Sequence, residues 1–172
     1  MKILVVVDMQ NDFLTGALGS EDTKGVISNV IKSIENFNGE IFFTRDTHFE
    51  NYLNTQEGKK LPVKHCLKNT WGWEICEEIK KYTNEENIVD KPTFGSVELA
   101  KKLVEINNKE KIDSVTFVGV CTDICVIANA MLVKSFLPEV KVIVDSSSCA
   151  GVSKKTHEAA LTAMQSCQIE IA

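Results

Sequence analysis

The sequence has almost no arginine and no long apolar run. Only Arg45 among its 19 basic residues is an arginine, and 24 acidic residues give its 172 residues a net charge of −5. An acidic chain with a single arginine is a poor nucleic-acid binder, so we expect no nucleic-acid partner. The apolar run at 3–7 is five residues long, whereas a membrane helix needs about 20. We therefore expect no membrane partner.

A secretory signal is also missing, because no basic region followed by an apolar segment opens the chain. This favours a cytoplasmic location. The six cysteines are then expected to be free thiols in a reducing compartment rather than three disulfides. The length suits a single domain over residues 1–172.

Six short runs of β-branched and apolar residues recur along the chain without strict alternation. This pattern is typical of strands buried on both faces of a parallel sheet. Helical spacing separates the runs; one helix is expected over 22–36, and Ser96, Thr122 and Ser153 are placed to cap three others. We predict an α/β fold, a Rossmann-like three-layer sandwich with a mostly parallel six-stranded sheet and helices on both faces. The predicted strands cover 3–7, 41–44, 87–90, 115–120, 140–144 and 168–171.

Three chemically useful residues fall at or just beyond predicted strand ends, where open α/β sheets bind ligands. Asp8 ends the first strand, Lys91 follows the third, and Cys125 lies shortly after the fourth. If Thr122 caps the next helix, Cys125 stands in its first turn, where free amides and the helix dipole lower a thiol pKa. Each residue also has a plainer interpretation: a turn-forming acid, a surface lysine and a small buried cysteine.

The segment 46–73 shows little periodicity and holds two of the three histidines. Asp46 and His48 point to the same side of an extended chain, and Glu57 and His65 follow them. Carboxylates with imidazoles suit zinc, manganese or iron. The segment is therefore a candidate metal and substrate loop, with a solvated polar loop as the plainer alternative.

Three segments, in order along the chain, resemble motifs of the isochorismatase-like cysteine hydrolases. The resemblance implies a catalytic triad of Asp8, Lys91 and Cys125, in which the cysteine attacks, the aspartate takes its proton and the lysine stabilises negative charge. It also implies a cis peptide bond before Cys121 and an oxyanion hole made by the backbone N–H groups of Cys121 and Cys125. The segments read VVDMQNDF at 6–13, DKPTFGS at 90–96 and VGVCTDICV at 118–126.

Within that family the metal loop resembles the metal site of the nicotinamidases. This similarity implies that Asp46, His48, Glu57 and His65 hold one divalent ion. Glu50 competes with Glu57 for the third position. The other branches generally lack this full set, so the metal loop favours the nicotinamidase branch.

Phe13 is similar to an aromatic residue that packs against the pyridine ring in nicotinamidases. Their second aromatic residue, shortly before the last histidine, is absent here. We assign Trp71 to the substrate pocket, with Tyr52 and Trp73 as alternatives. Isochorismate, with two carboxylates, is a poorer fit, because Arg45 is the only arginine available to bind it.

These observations predict a metal-containing cysteine amidohydrolase, a nicotinamidase acting through a thioester. One alternative is a hydrolase of another small amide, ureide or vinyl ether. Another is a non-catalytic binding protein of the same fold. The expected partners are a small-molecule amide and, because relatives are often dimers or larger, further copies of the chain in a homo-oligomer.

Overall fold

The computed structural model describes residues 1–172, and its centre is one sheet of six strands. Every strand pairs in parallel with its neighbours, in the order β3-β2-β1-β4-β5-β6. The predicted fold class is confirmed, and the sheet is parallel throughout. The strands are β1 (Lys2–Val7), β2 (Glu40–Asp46), β3 (Ile88–Lys91), β4 (Ser114–Val120), β5 (Lys141–Ala150) and β6 (Glu170–Ile171).

Helices fill most connections between the strands. Short 3-10 turns cover Tyr52–Asn54 and Trp71–Trp73, and a π-helical turn covers Thr122–Val126. No helix is both long and apolar enough to cross a bilayer. The α-helices are α1 (Asn11–Leu14), α2 (Glu21–Gly25), α3 (Ile27–Glu35), α4 (Gln56–Lys60), α5 (Glu77–Lys80), α6 (Val97–Lys109), α7 (Ile127–Phe136) and α8 (Lys154–Ser166).

Strand β1 shows why its apolar run does not alternate with polar residues. Ile3 and Val5 pack into a core cluster that includes residues of α6, α7 and α8, while Leu4 and Val6 pack on the opposite face against residues of α3 and α5. Both faces are therefore covered. Removing one such side chain, as in Leu4→Ala, typically costs about 2–5 kcal/mol in the free energy of unfolding.

The strand register brings the carboxyl ends of β1 to β4 side by side. Val7 pairs with Thr44 on one side and with Gly119 on the other, and Asp46 pairs with Lys91. Gly119 has φ of +113°, and a Cβ there would collide with the carbonyl oxygen of Val7. Only glycine lets β4 approach β1 this closely. Residues that follow these strands therefore share one edge of the sheet.

Two of the predicted helix boundaries are wrong. The helix expected over 22–36 is divided at Val26 into α2 and α3, directly after Gly25, which disfavours a continuous helix. Thr122 is not an N-cap, since it is the first residue of the π-helical turn and its hydroxyl bonds elsewhere. The caps expected at Ser96 and Ser153 are confirmed, because their hydroxyls accept backbone N–H groups of α6 and α8.

Candidate active site

Asp8, Lys91 and Cys125 converge at the shared edge of the sheet. The Lys91 Nζ atom lies 2.7 Å from Asp8 Oδ2 and 3.5 Å from Cys125 Sγ. All three residues are buried. The structure therefore brings together the three residues of the predicted triad, from β1, β3 and the turn after β4.

The Asp8 carboxylate is fixed by its backbone and its neighbours. Its φ of 48° lies in the left-handed region, which aspartate tolerates better than most residues. The Thr44 hydroxyl donates to Oδ1 at 2.7 Å. Burial raises the pKa of Asp8 although the Lys91 ammonium opposes that shift. A carboxylate with a raised pKa is a better proton acceptor for a thiol.

Lys91 connects the triad to the metal loop. Its Nζ atom lies 3.3 Å from Asp46 Oδ1 and donates to the Thr93 carbonyl at 3.1 Å. Burial opposes the charged form, but the carboxylates of Asp8 and Asp46 outweigh it and raise the pKa of Lys91. The lysine therefore stays an ammonium in a closed site, where an uncompensated buried charge would be costly.

Cys125 differs from the expectation in two respects. It lies within the π-helical turn rather than in the first turn of a capped α-helix. Burial, reinforced by the Asp8 charge, raises the pKa of the thiol although Lys91 opposes the shift, so the expected lowering of this pKa is wrong. A raised pKa favours the neutral thiol over the thiolate. The peptide bond between Val120 and Cys121 is cis, as the family resemblance implies.

Asp46, His48 and His65 form a group suited to a metal ion. One ligand atom from each lies within 4.8 Å of the other two, and all three residues are buried. Asp46 Oδ2 is 2.9 Å from His48 Nε2 and 3.7 Å from His65 Nε2. Although burial opposes it, His48 and Lys91 lower the pKa of Asp46, so an anionic ligand is available.

The hydrogen bonds of this group fit a metal. His65 Nδ1 lies 2.8 Å from the Val63 carbonyl, so Nδ1 donates and Nε2 keeps its lone pair toward Asp46. His48 Nε2 is buried and has no hydrogen-bond partner of good geometry. A divalent cation would accept the lone pairs of both imidazoles.

The structure also separates the two candidates for the next ligand. Glu57 Oε1 lies 3.5 Å from His48 Nε2 and 3.8 Å from His65 Nε2. The Glu50 side chain is 85% exposed and faces Lys64 at 3.4 Å instead. Glu57, in the first turn of α4, is therefore the candidate that lies beside the two histidines, just outside the compact group of Asp46, His48 and His65.

A cavity of about 50 Å³ lies between Cys125 and the metal loop residues Asp46, Glu57 and His65. Phe13 lies in its wall, with its ring 5.6 Å from that of His65. A larger chamber of about 370 Å³ lies outside it and shares Glu57, Leu61, Phe94 and Ile124 with it. The inner cavity is lined by Phe13, Leu18, Asp46, Glu57, Leu61, His65, Phe94, Cys121, Ile124 and Cys125.

The other aromatic candidates lie elsewhere. Trp71 is 63% exposed and is absent from the cavity wall. Trp73 is buried beneath Arg45, whose guanidinium carbon lies 3.5 Å from the ring centroid. Tyr52 packs against His48, at 4.6 Å between ring centroids. The second aromatic residue of the cavity is Phe94, which sequence reasoning missed even though it lies inside the motif around Lys91.

Two buried amides that sequence reasoning also missed hold the site together. Gln10 donates to the Asp46 and Trp73 carbonyls and accepts the Asp46 N–H, at 2.7–2.9 Å. Asn129 donates to the Cys125 carbonyl at 2.8 Å and to the Phe94 carbonyl at 3.1 Å. Gln10 lies in the first motif, which could have singled it out. Asn129 follows Cys125 by one helical turn, and only that spacing points to it.

Comparison with known proteins agrees with this geometry. A sequence model described as the isochorismatase domain matches residues 2–172, so the chain belongs to the isochorismatase family. The nicotinamidase of Saccharomyces cerevisiae is 31% identical over 175 residues, covering 76% of this chain and 80% of that protein. Two hypotheses, the family and its nicotinamidase-like branch, are thereby confirmed.

Solved structures resemble the whole chain. The pyrazinamidase of Pyrococcus horikoshii, in complex with zinc, is 29% identical, with a TM-score of 0.82 over 99% of this chain and 98% of that one. The pyrazinamidase/nicotinamidase of Streptococcus mutans UA159 is 25% identical, with a TM-score of 0.80 over 100% of both chains.

Proposed function

We propose that this chain is a metal-containing cysteine amidohydrolase that converts nicotinamide and water to nicotinate and ammonia. One observation carries the proposal. Cys125 lines one cavity with Asp46 and His65 of the Asp-His-His group, and behind it Lys91 contacts the carboxylates of both Asp8 and Asp46. The relatives named above are nicotinamidases and pyrazinamidases, which act on small aromatic amides of this kind.

The first half of the reaction forms a thioester. Cys125 Sγ attacks the carboxamide carbon while Asp8 takes the thiol proton. The carbonyl oxygen becomes an oxyanion, which accepts hydrogen bonds from the backbone N–H groups of Cys121 and Cys125. Asp8 then gives its proton to the departing nitrogen, so that ammonia leaves and the thioester remains.

The second half returns the enzyme to its starting state. Water attacks the thioester carbon and gives a proton to Asp8. The second oxyanion collapses and breaks the C–S bond, and the Cys125 sulfur recovers the proton from Asp8. Throughout, the Lys91 ammonium balances the negative charge that moves between the sulfur and the carboxylate. Each cycle consumes one amide and one water and releases one acid and one ammonia.

Asp46, His48, His65 and Glu57 would hold the divalent ion. When bound, this ion would coordinate the ring nitrogen and orient the substrate. Two imidazoles and two carboxylates suit zinc, manganese or iron. The zinc bound by the Pyrococcus horikoshii relative favours zinc among the three.

The placement of Arg45 argues against a dicarboxylate substrate such as isochorismate. Its Nε atom bonds Asp90 at 2.7 Å and its guanidinium stacks on Trp73. The only arginine is therefore occupied outside the cavity. A neutral amide makes no demand for such a residue.

Ammonia release from nicotinamide tests the proposal directly. We expect release that falls on chelation, returns with added zinc, manganese or iron, and drops at least about ten-thousandfold in Cys125→Ala. Cys167→Ala, which alters an exposed cysteine, should keep full activity. No release from metal-loaded wild type whose Cys125 still reacts with iodoacetamide would contradict nicotinamide as the substrate.

A further inference from the structure

The turn that carries Cys125 is anchored at its beginning. The Cys121 carbonyl accepts the N–H groups of Ile124 and Val126 at 3.1 and 3.0 Å, and the Thr122 carbonyl accepts that of Ile127. The position of the Cys121–Thr122 peptide therefore sets the position of the whole turn. A small displacement of this peptide would move the nucleophile with it.

Thr122 forms a side-chain hydrogen bond with a residue that is distant in the sequence. Its side chain is fully buried, and its hydroxyl lies 2.8 Å from Nδ1 of His157. His157 belongs to the first turn of α8, where Ser153 and Thr156 bond each other's backbone in a capping box. The imidazole therefore belongs to a helix end that the capping box stabilises.

A second contact joins the same two parts of the chain. Both carboxylate oxygens of Asp123 accept the Val152 N–H, at 3.1 and 3.2 Å. Gly151 fits between them, since a Cβ there would meet Asp123 and His157 at 3.0 Å. Residues 151–157, which lead into α8, therefore contact the nucleophile turn at two successive residues, Thr122 and Asp123.

We propose that His157 is a positioning residue, whose hydrogen bond to Thr122 holds the Cys121–Thr122 peptide and Cys125 in register with Asp8 and Lys91. The imidazole touches neither the cavity nor the triad. It acts through Thr122, which adjoins one of the two proposed oxyanion donors. This role rests on the proposed function, because the oxyanion belongs to that reaction. Catalytic groups must be held to a fraction of an ångström, so loss of the bond should affect turnover more than binding.

The test is a set of substitutions that remove or restore one hydrogen bond. We expect His157→Ala to lower kcat for nicotinamide about tenfold to hundredfold with KM unchanged. Thr122→Val, which keeps the shape and loses the hydroxyl, should do the same. The double variant should be no slower than either single one, because both remove one interaction. His157→Asn should recover most of kcat, since its amide branches from Cγ as Nδ1 does.

Thr162→Val is the matched control on α8. It removes a hydroxyl bond to the Glu158 carbonyl within the helix and should leave kcat unchanged. If His157→Ala does not fold, His157→Gln provides the second variant, because its longer side chain carries the amide past the Nδ1 position. Wild-type kcat in folded His157→Ala and Thr122→Val would overturn the inference. A loss of kcat in His157→Asn equal to that in His157→Ala would also overturn it.

A failure of the proposed function can be recognised separately. If metal-loaded wild type does not hydrolyse nicotinamide, the same variants are compared by the rate at which iodoacetamide alkylates Cys125. We expect slower alkylation in His157→Ala and Thr122→Val, because the thiol moves out of register with Asp8 and Lys91, and normal alkylation in His157→Asn. Alkylation at the wild-type rate in all three variants would overturn the inference.

Discussion

The two halves of the site are built from different kinds of structure. The triad half takes Asp8 and Lys91 directly from strand ends and Cys125 from the turn after β4, so the sheet register places them. The metal half takes Asp46 from a strand end but His48 and His65 from an irregular segment. That segment is held by tertiary bonds, among them the Cys66 N–H to Asp12 at 2.7 Å. The sheet edge positions two of the three triad residues, whereas the metal group needs a tethered loop.

Substitution of Asp8, the proposed base of the triad half, should have the largest effect on turnover. We expect Asp8→Asn to lower kcat by about a hundredfold to ten-thousandfold, because the buried thiol loses its proton acceptor. Metal content should stay at the wild-type level, since Asp8 belongs to the other half. Steady-state kinetics with metal analysis of the same sample check both expectations. Near-normal turnover would remove Asp8 as the base.

The fold should survive this change. Breaking a buried ion pair costs about 3–5 kcal/mol, but Lys91 keeps Asp46 at 3.3 Å in the Asp8→Asn protein. The free energy of unfolding should therefore fall by less than that amount. Denaturant unfolding followed by circular dichroism measures it.

Changes in the metal half should weaken metal binding first. We expect His48→Ala to lower metal affinity by at least about a hundredfold and to lose activity that excess metal partly restores. Glu57→Ala should show a smaller loss of affinity, because Glu57 lies outside the compact group of Asp46, His48 and His65. Glu50→Ala is the matched control and should bind metal as wild type does. Wild-type affinity in His48→Ala would show that the ion is held elsewhere.

Two aromatic substitutions should give the smallest and most selective effects. We expect Phe13→Ala to raise KM for nicotinamide about tenfold, because its ring forms part of the cavity wall and burial of an aromatic contributes about 1.5–3 kcal/mol. Trp71→Ala should lower kcat/KM less than twofold. This corresponds to a change of about 0.4 kcal/mol or less in the activation free energy. Equal losses of kcat/KM in the two variants would show that Trp71 belongs to the substrate site.

The fold could be predicted because short-range patterns determine it, and the triad because three short segments resemble motifs of a known family. Runs such as Ile3 to Val7 appear buried on both faces from the sequence alone, and parallel strands carry their functional residues at one edge. That rule made Asp8 and Lys91 candidates, and the family resemblance implied their roles in a triad. The single-domain assignment, the cytoplasmic location and the homo-oligomer remain predictions.

The parts that were missed depend on contacts between distant segments. The pKa of Cys125 is raised because the completed fold buries the thiol beside Asp8, an effect that a local helix-terminus argument does not include. Thr122 looked like an N-cap, but its hydroxyl pairs with a histidine 35 residues away. Phe94, and not the predicted Trp71, lines the cavity because the loop after β3 folds toward Cys125. No periodicity in the sequence indicates the path of this loop.

The position of Lys91 between Asp8 and Asp46 limits how this site can be divided. Asp46 supplies an oxygen to the metal group and, through its other oxygen, a counter-charge to the lysine of the triad. The two halves are therefore not interchangeable modules. A descendant or a designed variant that discards both the metal and Asp46 would leave Asp8 as the one carboxylate beside a cation sealed inside the protein.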